Sequence, residues 1–92
     1  MEPLQIDVPN PRSGMVLAAK LARIGANAEL VSDGGGLRVS VSLRFAGREL
    51  VPRSLAATRE WLEECELDST SVRLDGHTHL LRADRPRVAQ QS

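Results

Sequence analysis

The feature that most constrains this chain is a strict alternation of apolar and polar residues in its middle. Every second residue from Leu37 to Phe45 is apolar, and the residues between them are two arginines and two serines. Side chains of a β-strand point alternately to the two faces of a sheet. The period of two therefore predicts a strand with one buried and one solvated face.

Two helices with an apolar stripe flank this strand in the sequence. The first is predicted to have Ser13 as its N-cap and to stop at Gly25, which accepts the positive φ of a helix C-terminus. The second is predicted to carry Pro52 in its first turn. Core-facing positions recur every three or four residues in both helices. They are Gly14, Leu17, Ala18, Leu21 and Ile24 in the first helix, and Leu55, Thr58, Trp61, Leu62 and Cys65 in the second.

Shorter alternating segments predict the remaining strands. Residues 4–8 alternate before a proline, residues 28–31 precede a glycine-rich turn, and residues 72–74 lead into a hairpin turn at Asp75-Gly76. A last strand is expected from His77 to Arg82. The order is therefore strand, helix, strand, strand, helix, strand, with an additional strand at the end.

This order predicts one α+β domain. Two β-α-β units of this kind most simply form a two-layer sandwich, with both helices on one face of an antiparallel sheet, and this resembles ferredoxin-like folds. The domain is expected to span residues 1–82. Residues 83–92 lose the apolar periodicity and are expected to form a flexible C-terminal tail. The architecture does not select a function, because this fold hosts many unrelated ones.

The composition argues against several classes of function. Twelve basic and twelve acidic residues give a formal net charge of zero. Nucleic acid and membranes are therefore not expected as partners, because both are bound by clustered basic surfaces. The single cysteine, Cys65, cannot form an internal disulfide, which suits the cytoplasm. No nucleophile with a matching base and no cofactor motif is recognisable, so neither catalysis nor a cofactor is expected.

His77 and His79 are the weak candidates for a metal site. Residues two apart on a strand share a face, so both imidazoles could reach one ion. No third nitrogen or sulfur ligand follows at the usual spacing for zinc. A solvated strand face is therefore the preferred interpretation of this pair, and no metal is expected.

The length of the loop at Asp75-Gly76 decides where these histidines point. A two-residue loop pairs Leu74 with His77 and buries both imidazoles. A three-residue loop pairs Arg73 with His77 and buries Leu80. We favour the three-residue loop because burial of leucine is less costly than burial of histidine. The histidines would then lie beside the positive charge of Arg73, which opposes metal binding.

Arg12 and Ser13 are the weak candidates for anion binding. They lie at the start of the first helix, where free amides, a hydroxyl and a guanidinium could hold a phosphate or a carboxylate. The alternative is that Ser13 only caps the helix and that Arg12 is solvated.

A protein partner or a second copy of the chain is the expected ligand. Small open sheets leave edge strands, and these pair across a two-fold axis to form homodimers. Trp61 is the candidate anchor if it projects from its helix, since tryptophan is enriched at hot spots; otherwise it covers the core. Arg38 and Arg44, on the solvated face of the alternating strand, complete this candidate surface. The sequence thus predicts a small non-enzymatic interaction or self-association module.

A small-ligand sensor is the alternative function. The β-α-β-β-α-β order resembles that of regulatory ACT domains, and this resemblance implies a metabolite bound at a dimer interface. Stabilisation of the protein by an amino acid or a nucleotide would distinguish the sensor from the interaction module.

Overall fold

The computed structural model describes residues 3–34, 36–43 and 47–83. These residues form five strands and two helices in the predicted order, with the additional strand at the end. The elements are β1 (Leu4–Asp7), α1 (Pro11–Arg23), β2 (Asn27–Asp33), β3 (Gly36–Ser42), α2 (Leu50–Glu64), β4 (Ser69–Leu74) and β5 (His77–Arg82). Arg44 and Phe45, at the end of the alternating segment, and the expected tail beyond residue 83 lie outside the described residues.

All neighbouring strands of the sheet are antiparallel, and their order is β2-β3-β1-β4-β5. The central strand is β1, in which Ile6 lies opposite Val39 of β3 and Val72 of β4. The predicted α+β class is confirmed, and the architecture is compatible with a two-layer sandwich. The strand order differs from that of a four-stranded ferredoxin fold, because β5 forms a fifth strand at one edge. The other edge is β2.

Helix α1 begins earlier than the sequence pattern suggests. Asn10 is its N-cap, and the side-chain oxygen of Asn10 accepts a hydrogen bond of 2.8 Å from the amide of Ser13. Pro11 occupies the first helical position, where a missing N–H has no intrahelical partner to lose. The predicted cap at Ser13 is therefore wrong. Gly25 follows the end of the helix with φ +86°, as predicted.

Helix α2 begins at Leu50 and carries Pro52 in its first turn, as predicted. Its N-cap residue, Glu49, makes no side-chain capping bond. Leu55 and Cys65 lie at the margins of the buried stripe and are only half-buried. The buried residues of α2 are Ser54, Ala57, Thr58, Trp61 and Leu62.

Both helices pack on one face of the sheet and enclose a single core. Its fully buried apolar side chains are Leu4, Ile6, Leu17, Leu21, Val39, Val41, Trp61 and Leu62. Gly14 allows α1 to approach β2 closely, because a Cβ at this position would lie 2.6 Å from Cδ1 of Leu30. The opposite face of the sheet carries polar residues such as Gln5, Ser40 and Arg73, and no described helix covers it.

An ion-pair bridge joins the two helices. Nζ of Lys20 lies 2.9 Å from a carboxylate oxygen of Glu64 and 3.3 Å from one of Glu60. The hydrogen bond to Glu64 is the main cause that raises the pKa of Lys20 above 10.5; desolvation opposes it and Glu60 adds to it.

Neither helix, within the described residues, is long and apolar enough to cross a membrane.

Ala83 belongs to the folded domain although the sequence pattern assigns it to the tail. Its side chain is buried, and its amide donates a hydrogen bond of 2.9 Å to the carbonyl oxygen of Asp68. The β4–β5 hairpin is therefore continued by one more residue at its open end.

Candidate functional site

Asp75-Gly76 forms a two-residue loop between β4 and β5. Both residues have positive φ, +51° and +78°, as in a type I′ turn, whose twist matches that of the flanking strands. Leu74 therefore lies opposite His77. The predicted three-residue loop is wrong. The conformation of the turn residues determines the register of the hairpin, and it outweighs the free energy that burial of Leu80 would contribute.

His77 and His79 lie on the face of the sheet that carries the helices, yet both are exposed. His79 lies opposite Val72, which is buried. Leu81, further along β5, is also buried. The part of β5 nearest the turn thus extends beyond the cover of the helices, and the expectation that this register buries the histidines is wrong.

The imidazole rings of His77 and His79 have centroids 6.4 Å apart. Arg73 does not lie on the same face of the sheet as the histidines, because it lies opposite Thr78. The expectation that the histidines lie beside Arg73 is therefore wrong. Within the described ranges, no group of three His, Cys, Asp or Glu side chains that could hold a metal is present.

The outer side of β5 presents main-chain groups that no described strand uses. In the sheet, β5 pairs with β4 alone. The amide of Ala83 donates to Asp68, so the odd-numbered residues at this edge direct their N–H and C=O groups toward β4. Because the direction alternates along an antiparallel strand, Thr78, Leu80 and Arg82 direct theirs outward.

Leu80 adds an apolar side chain to this edge. It is 58% exposed and lies opposite Ser71, on the face of the sheet that no described helix covers. In the described part of the sheet it is the one large apolar side chain that is exposed. The expectation that Leu80 is buried is therefore wrong, because the two-residue loop gives a register that places Leu80 on the uncovered face of the sheet.

Trp61 lies in the core and not at the surface. It is fully buried, and its indole Nε1 donates a hydrogen bond of 2.9 Å to the carbonyl oxygen of Ser13. The bond ties the second half of α2 to the first turn of α1. A partner therefore has no access to this side chain, and Trp61 supplies no anchor on the surface of the fold.

The candidate arginines and the candidate anion site do not converge on one place. Arg38 is half-buried on β3, and its Nη1 donates to Oε1 of Gln5 at 3.0 Å; its expected companion Arg44 lies outside the described residues. Arg12 is exposed at the start of α1. The amide of Ser13, one of the donors expected to hold an anion, already donates to the side chain of Asn10.

A cleft lies between the end of α1 and the start of α2. It consists of two adjoining hollows of about 320 and 380 Å³, and both are lined by Ile24 and Arg53. Volumes of this size fall in the range of small-molecule sites, but both hollows lie open to solvent and are not enclosed. The charged residues around the cleft are Lys20, Arg23, Arg48, Arg53, Glu49 and Glu60. Lys20 is paired with Glu60 and Glu64, so the positive excess of this surface is small and comes from Arg23, Arg48 and Arg53.

Sequence reasoning selected the two histidines but missed the rest of the β5 edge and the whole cleft. The loop residues Asp75-Gly76, interpreted as a two-residue turn, were the signal that could have identified the edge. The cleft has no such signal, because its residues come from separate segments. Comparisons with protein-family models, curated proteins and solved structures give no match to this chain.

Proposed function

We propose that the protein is a non-enzymatic interaction module that forms a homodimer through the outer edge of β5. The observation that supports this proposal is the outer side of β5, which pairs with no other strand among the described residues. Such an edge is a template for another strand, and a two-fold axis satisfies both copies at once. The fold proposed for each subunit is ferredoxin-like, with β5 as an addition to the sheet.

Two positions of the two-fold axis bring the outward main-chain groups together. If the axis passes through His79, Thr78 of one copy lies opposite Leu80 of the other. If the axis passes through Thr78, the two Thr78 residues lie opposite each other. In both arrangements residues with outward N–H and C=O groups meet, so they form the hydrogen bonds of an antiparallel ladder.

The side chains along β5 suit this pairing. Asp75 precedes the strand and Arg82 ends it, and both are exposed. Antiparallel pairing places Arg82 of each copy near Asp75 of the other, and opposite charges across strands contribute about 0.2–1 kcal/mol. Leu80, exposed in the single chain, is partly covered by the second copy.

Sedimentation equilibrium of the full chain tests the proposal, with Leu80→Lys as the variant. We expect a monomer–dimer equilibrium in the micromolar range and a dimer Kd weakened about tenfold by Leu80→Lys, since partial cover of the two Leu80 side chains contributes about 0.7 kcal/mol each, at about 25 cal/mol per Å² of apolar surface. The matched control is Met15→Lys, because Met15 is also apolar and 65% exposed but lies on α1. A dimer that Met15→Lys weakens and Leu80→Lys does not would contradict the proposal, as would a monomer at every concentration.

A sensor for small anions is the second candidate function, and the positive cleft between α1 and α2 favours it. Arg53 lines both hollows, and Arg48 and Arg23 each line one of them. Guanidinium groups bind carboxylates and phosphates in a bidentate manner. The ligand class is therefore a small carboxylate or phosphate, which includes the metabolites that ACT-like domains would bind.

Thermal unfolding with inorganic phosphate, amino acids and nucleotides tests the sensor. A ligand at 100 times its Kd would stabilise the protein by about 2.7 kcal/mol, which is several degrees in Tm. Arg53→Met should abolish this shift, and Arg73→Met, on the opposite side of the molecule, should preserve it. An unchanged Tm with every compound would remove the sensor as a candidate.

A further inference from the structure

The histidines of β5 form a ligand pair that lacks partners in a single chain. Both imidazoles are exposed on one face of an edge strand, 6.4 Å apart between ring centroids. Two imidazoles on one zinc ion have centroids about 5–6 Å apart, given a Zn–N distance of 2.0–2.1 Å. Rotation of two exposed side chains closes this difference.

The surroundings of the pair are free of positive charge on the hairpin. Opposite the histidines lie Leu74 and Val72 of β4, which are apolar. Arg73 and Arg82 lie opposite Thr78 and Ser69, on the other face. Neither arginine of the hairpin therefore shares a face with the imidazoles.

A second copy supplies the ligands that one chain lacks. If the two-fold axis passes through Thr78, His77 of each copy lies opposite His79 of the other, which gathers four imidazoles on one face. If the axis passes through His79, the two His79 residues lie opposite each other, with His77 of each copy diagonally adjacent. Directly opposed residues have Cβ atoms about 4.5–5.5 Å apart, close enough to share an ion.

We propose that His77 and His79 of two copies form a metal site at the dimer interface, a proposal that rests on the association through β5. Imidazole nitrogens suit zinc, copper and nickel, whereas magnesium and calcium prefer oxygen ligands. Structural zinc sites use four protein ligands, the number that two copies provide. A divalent late transition-metal ion bound at this site would strengthen a dimer that also forms without it.

Zinc chloride titrated into the untagged, metal-free full chain tests the site. Calorimetry should give one zinc ion per two chains, and sedimentation velocity should show the dimer Kd tightened at least about tenfold by zinc, since a ligand that binds only the dimer favours it. His79→Asn should remove the response to zinc, measured as the ratio of the dimer Kd without zinc to the dimer Kd with zinc in the same variant. Cys65→Ser is the matched control and should preserve the response to zinc, because Cys65 is the only cysteine in the chain.

The outcomes separate the metal site from the association itself. A dimer that forms without zinc and ignores it would overturn the metal site and leave the proposed function intact. A zinc-bound dimer whose Kd is the same in Thr78→Pro as in the unchanged chain would also overturn the site, because the ion would then not lie between paired β5 strands. A chain that stays monomeric with and without zinc would overturn both proposals.

Discussion

The two edges of the sheet, β2 and β5, differ in chemistry although both are built as hairpins with two-residue loops. On β2, the carboxylate of Glu29 is exposed in the middle of the strand. On β5, the corresponding stretch carries two histidines, Thr78 and the exposed Leu80, with no acidic residue. A charge in the middle of an edge strand hinders pairing with another copy, and β5 lacks this protection.

The comparison shows that side chains, and not topology, distinguish the two edges. Both edges direct main-chain groups outward that pair with no strand in the described part of the chain. On β2 these groups belong to Ser32 and to every second residue before it. The partner of Ser32 on β3 is Leu37, and the carbonyl oxygen of Leu37 accepts a hydrogen bond from Val8 and not from Ser32. We therefore expect the same substitution to affect the dimer when it is made on β5 and not when it is made on β2.

The largest effect is expected from proline at an outward position. Thr78→Pro removes an outward amide from β5 and leaves the bonds to β4 intact, as proline is tolerated on edge strands. The loss of two symmetric hydrogen bonds of about 1 kcal/mol each weakens the dimer about 30-fold. Sedimentation equilibrium measures the change. Ser32→Pro, the same substitution at the β2 edge, should leave the dimer unchanged, and equal weakening by both variants would refute the distinction.

The hairpin loops give the next comparison. A Cβ at Gly76 or at Gly34 would meet no atom within 4 Å, but only Gly76 of these two has a positive φ, +78°. Gly76→Ala should therefore lower the free energy of unfolding by about 1 kcal/mol. Gly34→Ala should change it by less than about 0.5 kcal/mol. Urea unfolding measures both variants, and a larger loss at Gly34 would show that the β4–β5 turn does not constrain its hairpin.

Removal of the charge from β2 should reduce the contrast between the edges. Glu29→Thr replaces the exposed carboxylate with a residue that favours strands. We expect weak additional association, at the level of about 1 kcal/mol, seen as species larger than a dimer at high concentration. Light scattering after gel filtration measures it. A variant that remains strictly dimeric would show that Glu29 is not what protects β2.

The smallest effect is expected away from both edges, at the Lys20 bridge. Its carboxylate partners Glu60 and Glu64 are more than half exposed, so Lys20→Met should cost only about 0.5 kcal/mol of stability. The bridge raises the pKa of Lys20 in the folded state above 10.5. The contribution of the bridge to the free energy of unfolding is therefore complete below pH 10.5 and is lost as the pH rises through the raised pKa of Lys20. Unfolding at several pH values measures this, and the dimer Kd should not change.

The strands and helix stripes could be predicted from the sequence because their periods follow from local geometry. The alternation from Leu37 onward and the spacing of Leu17 and Leu21 each identify a buried face without any knowledge of neighbours. Val39, Val41, Leu17 and Leu21 are indeed fully buried. The order of the elements then limited the architecture to an α+β arrangement.

The features on which the proposed function rests depend on information that the spacing of apolar residues along one segment does not contain. The hairpin register followed from the positive φ of Asp75 and Gly76, which outweighed the burial of Leu80. The cap of α1 moved to Asn10 because Pro11 follows it. The position of Trp61 required the distance between the helices, which no single segment specifies. Which edge is open, and where a cleft forms, are properties of packed elements.

Hydrogen exchange of individual amides, measured by NMR at low and high protein concentration, tests the central claim most directly. We expect the protection of the Thr78 and Leu80 amides from exchange to rise with protein concentration, because their outward N–H groups donate hydrogen bonds to a second copy. Protection at the outward amides of β2, such as that of Ser32, should stay constant. Concentration-dependent protection at Ser32 but not at Thr78, or at neither, would contradict association through β5.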